Sequence, residues 1–241
     1  MPPTVEELLA PRLPGRLADV ITLMRGVGTA LPRGDGVACF NRLYLAVTEA
    51  VHAAVQPGRY RDPRFVRWLD VVFANLFFRA LREAGRRPSA VPKAWAPLVE
   101  ARARRGVAPL QFALAGMNAH INRDLPLALV ETWKALGLDP RRADAQHEDF
   151  SRLSSLLAEV EATIKLEFAT GILADVDRSL GNVDDVVAMW NVHRAREAAW
   201  VNAETLWALQ SLPALGDEFV LALDRMVGFA GRGILRPLVV A

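Results

Sequence analysis

The stretch FVRWLDVVFANLFFRAL, residues 65–81, is apolar on nearly every side of a helical wheel. A helix of that kind has no face suited to water. Other helices must cover it all round, so it is expected at the centre of a bundle. The remaining chain can supply that cover. Alternating strand patterns are missing, and alanine, leucine and arginine, all strong helix formers, dominate. The expected fold is all-α, a single domain of about eight or nine mostly antiparallel helices.

Punctuation places those helices. Pro11 and Pro14 break a short amphipathic segment that begins near Thr4. Helices are expected over 17–30 and 37–55. Asp62-Pro63 offers an N-cap followed by a first-turn proline, opening the central helix, which runs to about 84. Shorter segments follow near 95–105 and from about 108. Pro126 is expected to kink or end the latter, because it removes a backbone donor and crowds the carbonyl of Asn122. A turn or helix continues to 136. Long helices are expected over about 141–169 and 183–209, with a last one over about 214–230. Residues 1–16 and 231–241 read as loosely attached ends. No linker is long enough to divide the 241 residues into separate domains.

Composition narrows the function classes. Hydrophobic residues make up 52% and charged residues 23%, enough for a large core and an apolar pocket. The formal net charge is only +2, and there are two tyrosines without aromatic–basic interleaving, so nucleic-acid binding is not expected. Cys39 is the single cysteine, which excludes an intrachain disulfide and fits a reducing compartment. The N-terminus carries acid and proline where a signal peptide carries basic and apolar residues. No apolar run reaches the ~18 residues of a membrane span. The expectation is a cytoplasmic protein, with a homodimer possible.

The stretch GMNAHINRDLP, residues 116–126, places polar residues inside an otherwise buried helix. His120 and Asp124 are four apart, about 40° from each other on the wheel, among small and apolar neighbours. That spacing lets the carboxylate orient the imidazole, or lets both hold one metal ion such as Zn, Fe or Mn. The bland alternative is a neutral histidine tied to a buried aspartate. In that case truncating His120 should unfold a structural network, because it leaves Asp124 buried and unpaired. Asn118 and Asn122 lie on nearly the opposite side and read as ties between helices, since an unsatisfied buried polar group costs about 1–3 kcal/mol.

Asp70 stands in the middle of the central helix, where a carboxylate needs a partner. Arg196, Arg123 and His120 are the candidates. A buried Asp–Arg tie and an acid or base with a shifted pKa are both open. Tyr44, Met117 and Trp200 are candidate pocket residues, although aromatics at helical spacing are more often plain core. Other ligand patterns are weaker. Glu49/His52 forms one E-x-x-H where a di-iron bundle uses two. His193/Glu197 and the run His147-Glu148-Asp149 share only their spacing with helical zinc phosphodiesterases. A haem protein with one axial histidine is a further alternative. No G-x-S-x-G and no glycine-rich phosphate loop are present.

Five segments, FNRLYLAVTEAV (40–51), DPRFVRWLDVVFANLFFRAL (62–81), VPKAWAPL (91–98), GMNAHINRDLPLAL (116–129) and AREAAW (195–200), together resemble a largely actinobacterial family of uncharacterised helical proteins, a domain of unknown function. Its hallmark is Gly-Met-Asn-Ala-His-Ile-Asn-x-Asp-Leu. The resemblance implies a compact helical domain with His120 and Asp124 in the family pattern. It brings no established activity. Some such proteins lie near natural-product pathways, which suggests tailoring or cyclising chemistry. The leading expectation is an enzyme of lyase, cyclase or isomerase type acting on a mostly apolar small molecule. In it His120 is the acid/base or metal ligand, Asp124 its orienter, Asp70 a second acid/base and Arg196 the neutraliser of a carboxylate or oxyanion. The rival is a binding or scaffold protein in which the same polar network is structural.

Overall fold

Asp62 starts the central helix as the sequence predicts. Its carboxylate accepts the amides of Arg64 and Phe65, each at 3.1 Å, and Pro63 occupies the first turn. Asp149, itself fully buried, accepts the amides of Arg61 and Asp62 and so pins this corner to a later helix. From there α4 (Pro63–Arg86) runs through the core, burying Phe65, Val66, Leu69, Val72, Phe73, Leu76 and Phe77 among others. Each such side chain contributes about 1.5–3 kcal/mol on leaving water. In its middle Arg67, Trp68 and Arg79 are exposed and Asp70 is partly accessible.

The computed structural model describes residues 3–10, 12–54, 58–157 and 191–237. Before α4 come α1 (Val5–Leu9), α2 (Leu17–Ala30) and α3 (Gly36–Ala54). After it come α5 (Ala96–Ala101), α6 (Pro109–Ala119), a π-helical turn (His120–Asp124) and α7 (Leu125–Leu136). Then follow α8, described over 144–157, α9 (Val192–Ala208) and α10 (Pro213–Ile234). The described residues contain no strand, and the fold is an all-α bundle. No described helix is long and apolar enough to cross a membrane. The expected helical stretches 158–169 and 183–190 lie outside the described residues.

Two close approaches set the helix next to the site. A Cβ on Gly116 of α6 would overlap the ring of Phe40 on α3, and one on Gly36 would meet the ring of Phe112. The backbones of α3 and α6 approach closely because those positions carry no side chain. On the far side α6 packs against α10, and α7 packs against α4 and α9. The helix containing His120 is therefore covered on several sides.

Three sequence expectations need correction. Pro126 does not end the helical run: the chain loosens first, with the amide of Leu125 reaching back five residues to the carbonyl of His120. That π turn absorbs the proline, and α7 continues directly. The N-terminal segment is not loose, since Leu9 is buried and the carbonyl of Pro14 accepts the Asn75 amide at 2.9 Å. The C-terminal tail is also docked. Helix α10 runs on to Ile234, Leu235 is buried, and Gln111 donates to the carbonyls of Ile234 and Arg236 at 2.7 and 2.8 Å.

Candidate functional site

The π turn carries His120 and Asp124, and its looser winding keeps both on one side of the helix. His120 Nδ1 lies 3.1 Å from Asp124 Oδ2, and both side chains are almost wholly buried. Burial, the larger effect, lowers the imidazole pKa below its ordinary value; the hydrogen bond and charge of Asp124 act against it. The neutral ring is thus favoured. With Asp124 as acceptor, Nδ1 carries the proton and Nε2 keeps a lone pair. Nε2 is buried and has no hydrogen-bond partner among the described residues.

Aromatic rings fix the plane of that imidazole. Phe73 of α4 stacks on it, with centroids 3.5 Å apart and planes 5° from parallel. Tyr44 meets it edge-on at 4.4 Å, and Phe40 and Trp95 close in from further out. The sequence reading missed Phe73 and Trp95. Both lie in quoted segments, but nothing in their spacing shows that they face His120.

Asp124 has more partners than the sequence suggested. Trp95 Nε1 donates to Oδ2 at 2.9 Å and Arg123 Nη1 to Oδ1 at 2.7 Å. Arg123 also faces Asp224 of α10 at 3.4 Å. Asp224 in turn accepts the amides of Lys93 and Ala94 at 2.7 and 3.1 Å. Removing His120 therefore does not leave Asp124 unpaired, contrary to the expectation from the pair alone. On the opposite side of the helix, Asn122 donates to Asn118 Oδ1, and Asn118 donates to the carbonyl of Val227. The two asparagines tie α6 to α10.

His120 borders a cavity of about 50 Å³, with Phe40, Tyr44, Phe73, Met117, Ile121, Leu157, Val192 and Arg196 among its walls. Tyr44, Met117 and Arg196, all named from sequence, are brought to this cavity. Trp200 is not. It packs in a separate aromatic cluster with Phe65, Trp133, His147 and Phe150, and its indole donates to Glu204. Arg196 is buried, donates through Nε to Ser154 at 2.9 Å and lies over the Phe150 ring. Its Nη2 has no partner among the described residues. Burial brings its pKa down to about 10, with Asp70 the main charge holding it up.

Asp70 does not form a close ion pair with Arg196 or with any other described residue. Part of the residue is accessible, but Oδ2 is enclosed and unpartnered. Desolvation raises its pKa to about 7, against the opposing field of Arg196. The charge of Asp70 is also the largest one raising the pKa of Tyr44, after burial. Asp70 thus acts on the cavity through space and is not one of its walls.

The other ligand candidates are scattered. Glu49 pairs with Arg25 at 2.7 Å, and His52 is exposed. His147 faces Glu197 at 3.6 Å, Glu148 pairs with Arg61, and Asp149 caps backbone amides. Among the described residues no group of three or more His, Cys, Asp or Glu gathers to hold a metal ion. Asp124 already receives an indole and a guanidinium donor, so it does not suit an ion shared with His120. Among the described residues the cavity beside His120 is far below the ~300 Å³ of ordinary ligand sites, so as it stands it does not suit a haem.

A model described as a family of unknown function (DUF5995) matches residues 17–237. The chain belongs to that family. The DUF5995 match takes in the π turn and the residues around it, in agreement with the expected membership of an uncharacterised family. No curated protein and no solved structure matches the chain.

Proposed function

We propose that this protein is an acid–base enzyme acting on a small, mostly apolar molecule that bears a carbonyl or carboxyl group. One observation carries the reading: His120 has Nδ1 held by Asp124, while Nε2 is buried without a partner among the described residues and the residue borders a cavity. A histidine kept only for stability satisfies both nitrogens, because a buried unsatisfied group costs about 1–3 kcal/mol. A base needs one nitrogen fixed and the other free.

Arg196 supports the same reading. It remains a cation at neutral pH, borders the same cavity, and has an Nη2 without a partner among the described residues. In the step envisaged, Nε2 takes a proton from a carbon next to the carbonyl. The C–H electron pair forms a carbon–carbon double bond and the carbonyl π pair moves onto oxygen, where Arg196 opposes the negative charge. The proton then returns from Nε2 to another carbon, or the electron pair expels a leaving group. Isomerase, lyase and cyclase chemistries all share this step. The cavity has room for about three or four waters, at roughly 10–15 Å³ each, so it suits the reacting end of a substrate.

The test is deuterium wash-in from D2O into short branched ketones and carboxylic acids, read by mass spectrometry. The parent is expected to exchange the α-hydrogens of at least one probe. His120→Gln is expected to abolish exchange while remaining folded, and Arg196→Gln to slow it. Exchange that survives in His120→Gln sinks the assignment of the base. A second reading rests on a different observation: the chain of contacts Trp95–Asp124–Arg123–Asp224 joins three segments and is fully structural in form. A parent that exchanges no probe, with His120→Gln losing much of its stability, favours that reading.

A further inference from the structure

Helix α10 has two apolar faces, one buried in the core and one largely exposed, on which only the half-buried Phe219 also rests against the core. The inner face buries Leu223, Val227, Gly228 and Gly231, and there a Cβ on Gly228 would collide with the carbonyl of Lys93. The outer face carries Leu215, Phe219, Ala222, Met226, Phe229 and Gly233, spaced four, three, four, three and four. Phe229 is 80% exposed, Met226 66% and Leu215 55%. Leu212, just before the helix, extends the same patch. A sustained apolar stripe of this spacing is the seam of a helix pair, and a monomer has no use for it.

We propose that this face is the interface of a homodimer, in which two copies of α10 pack antiparallel about a two-fold axis. The stripe is complementary to itself in that direction. Antiparallel pairing sets Leu215 against Gly233, Ala222 against Met226, and Phe219 against Phe229. Large residues then meet small ones at two of the three layers, and Gly233 has nothing within 4 Å to obstruct its neighbour. Charge favours the same direction. Glu218 and Arg232 lie on one flank of the stripe, near opposite ends, so antiparallel packing brings each to the other's copy. Parallel packing sets that flank against the other one, which carries Gly216, Leu223 and Ala230, and leaves both charges without an opposite partner. Arg232 has a contact with Glu100 at 3.2 Å, but both side chains are more than half exposed and the pair is readily exchanged. Arg225 alone meets its own copy, on a stem long enough to turn to solvent. A two-fold interface uses the same patch on both copies, which this stripe satisfies.

The experiment is light scattering and sedimentation of the full chain across the micromolar range. The parent is expected to be a dimer. Met226→Glu with Phe229→Glu is expected to weaken association by about a hundredfold or more, since both anchors are lost. The helical circular-dichroism signal should not change, because neither residue touches the core. A monomeric parent, or a dimer indifferent to those substitutions, overturns the proposal. Direction is read by oxidative cross-linking. A mixture of Ala222→Cys chains and Met226→Cys chains should form a covalent dimer faster than either alone. Cross-linking of Phe229→Cys to its own copy as the fastest reaction would instead indicate parallel packing and overturn the antiparallel register. Neither result depends on the chemistry at His120, so the two proposals fail separately.

Discussion

Asp70 and His120 have pKa shifts of opposite consequence. The folded-state pKa of Asp70 is about 7 against an ordinary 3.8, so folding favours its protonated form. Its contribution to stability is fully present below pH 3.8 and is lost as the pH rises through about 7. Asp70→Asn removes that loss. The variant is therefore expected to melt higher than the parent, by an amount that grows from pH 4 to 7 and levels off above. A gain that does not grow with pH would count against the shift. His120 is lowered from 6.5, so folding favours its neutral form, and stability is lost as the pH falls below 6.5. In His120→Gln that acid-side loss should shrink.

Partner counts rank two further substitutions. Asp124→Ala takes the acceptor from the buried Trp95 indole and leaves the Arg123 guanidinium with Asp224 alone. Breaking one side of a buried charged contact costs about 3–5 kcal/mol. His120→Ala leaves Asp124 with both of those donors and mainly forfeits ring packing. The urea midpoint should fall further for Asp124→Ala than for His120→Ala, and the reverse order would contradict the contacts described. The pairing of His120 with Asp124 was legible from the four-residue spacing. Trp95 and Phe73 were not, because their approach depends on how α4, α5 and α6 pack, which local periodicity does not encode.

At the scale of the element, glycines separate helix propensity from packing. Alanine is favoured over glycine inside a helix by about 1 kcal/mol. Gly228→Ala should nevertheless destabilise, by about 1–3 kcal/mol net, because backbone cannot move aside as a flexible side chain can. Gly216→Ala, on the same helix and in ordinary contact with Leu209, should be neutral or slightly stabilising. Equal thermal shifts for the two would remove the packing argument. The start of α4 was readable from Asp62-Pro63, since capping is a local matter. The π turn was not. Proline announces a missing donor, but whether a helix breaks, bends or widens depends on the cover supplied by its neighbours.

For the whole molecule, the polar chain from Asp124 through Arg123 to Asp224 couples the segment at 93–95, the π turn and α10. Its members should not act independently. In a double-mutant cycle, Arg123→Met and Asp224→Ala are expected to differ from additivity by about 1–3 kcal/mol in unfolding free energy. Additive values would show that α10 is held by apolar packing alone.

The sequence by itself determined the helical class, the central place of α4 and the polar character of the helix at 116–126. Each follows from short-range order: periodicity, capping and the cost of burying an unpaired polar group. Beyond the pairing of His120 with Asp124, tertiary structure alone decided which polar groups met. It gave Asp124 an indole and a guanidinium, left His120 Nε2 and Arg196 Nη2 without partners, and kept Asp70 at a distance from Arg196. It also sent Trp200 to a separate cluster. The reason is geometric. A helical pattern says which face is apolar, while the angle and separation at which faces meet depend on side-chain volumes summed over every neighbour.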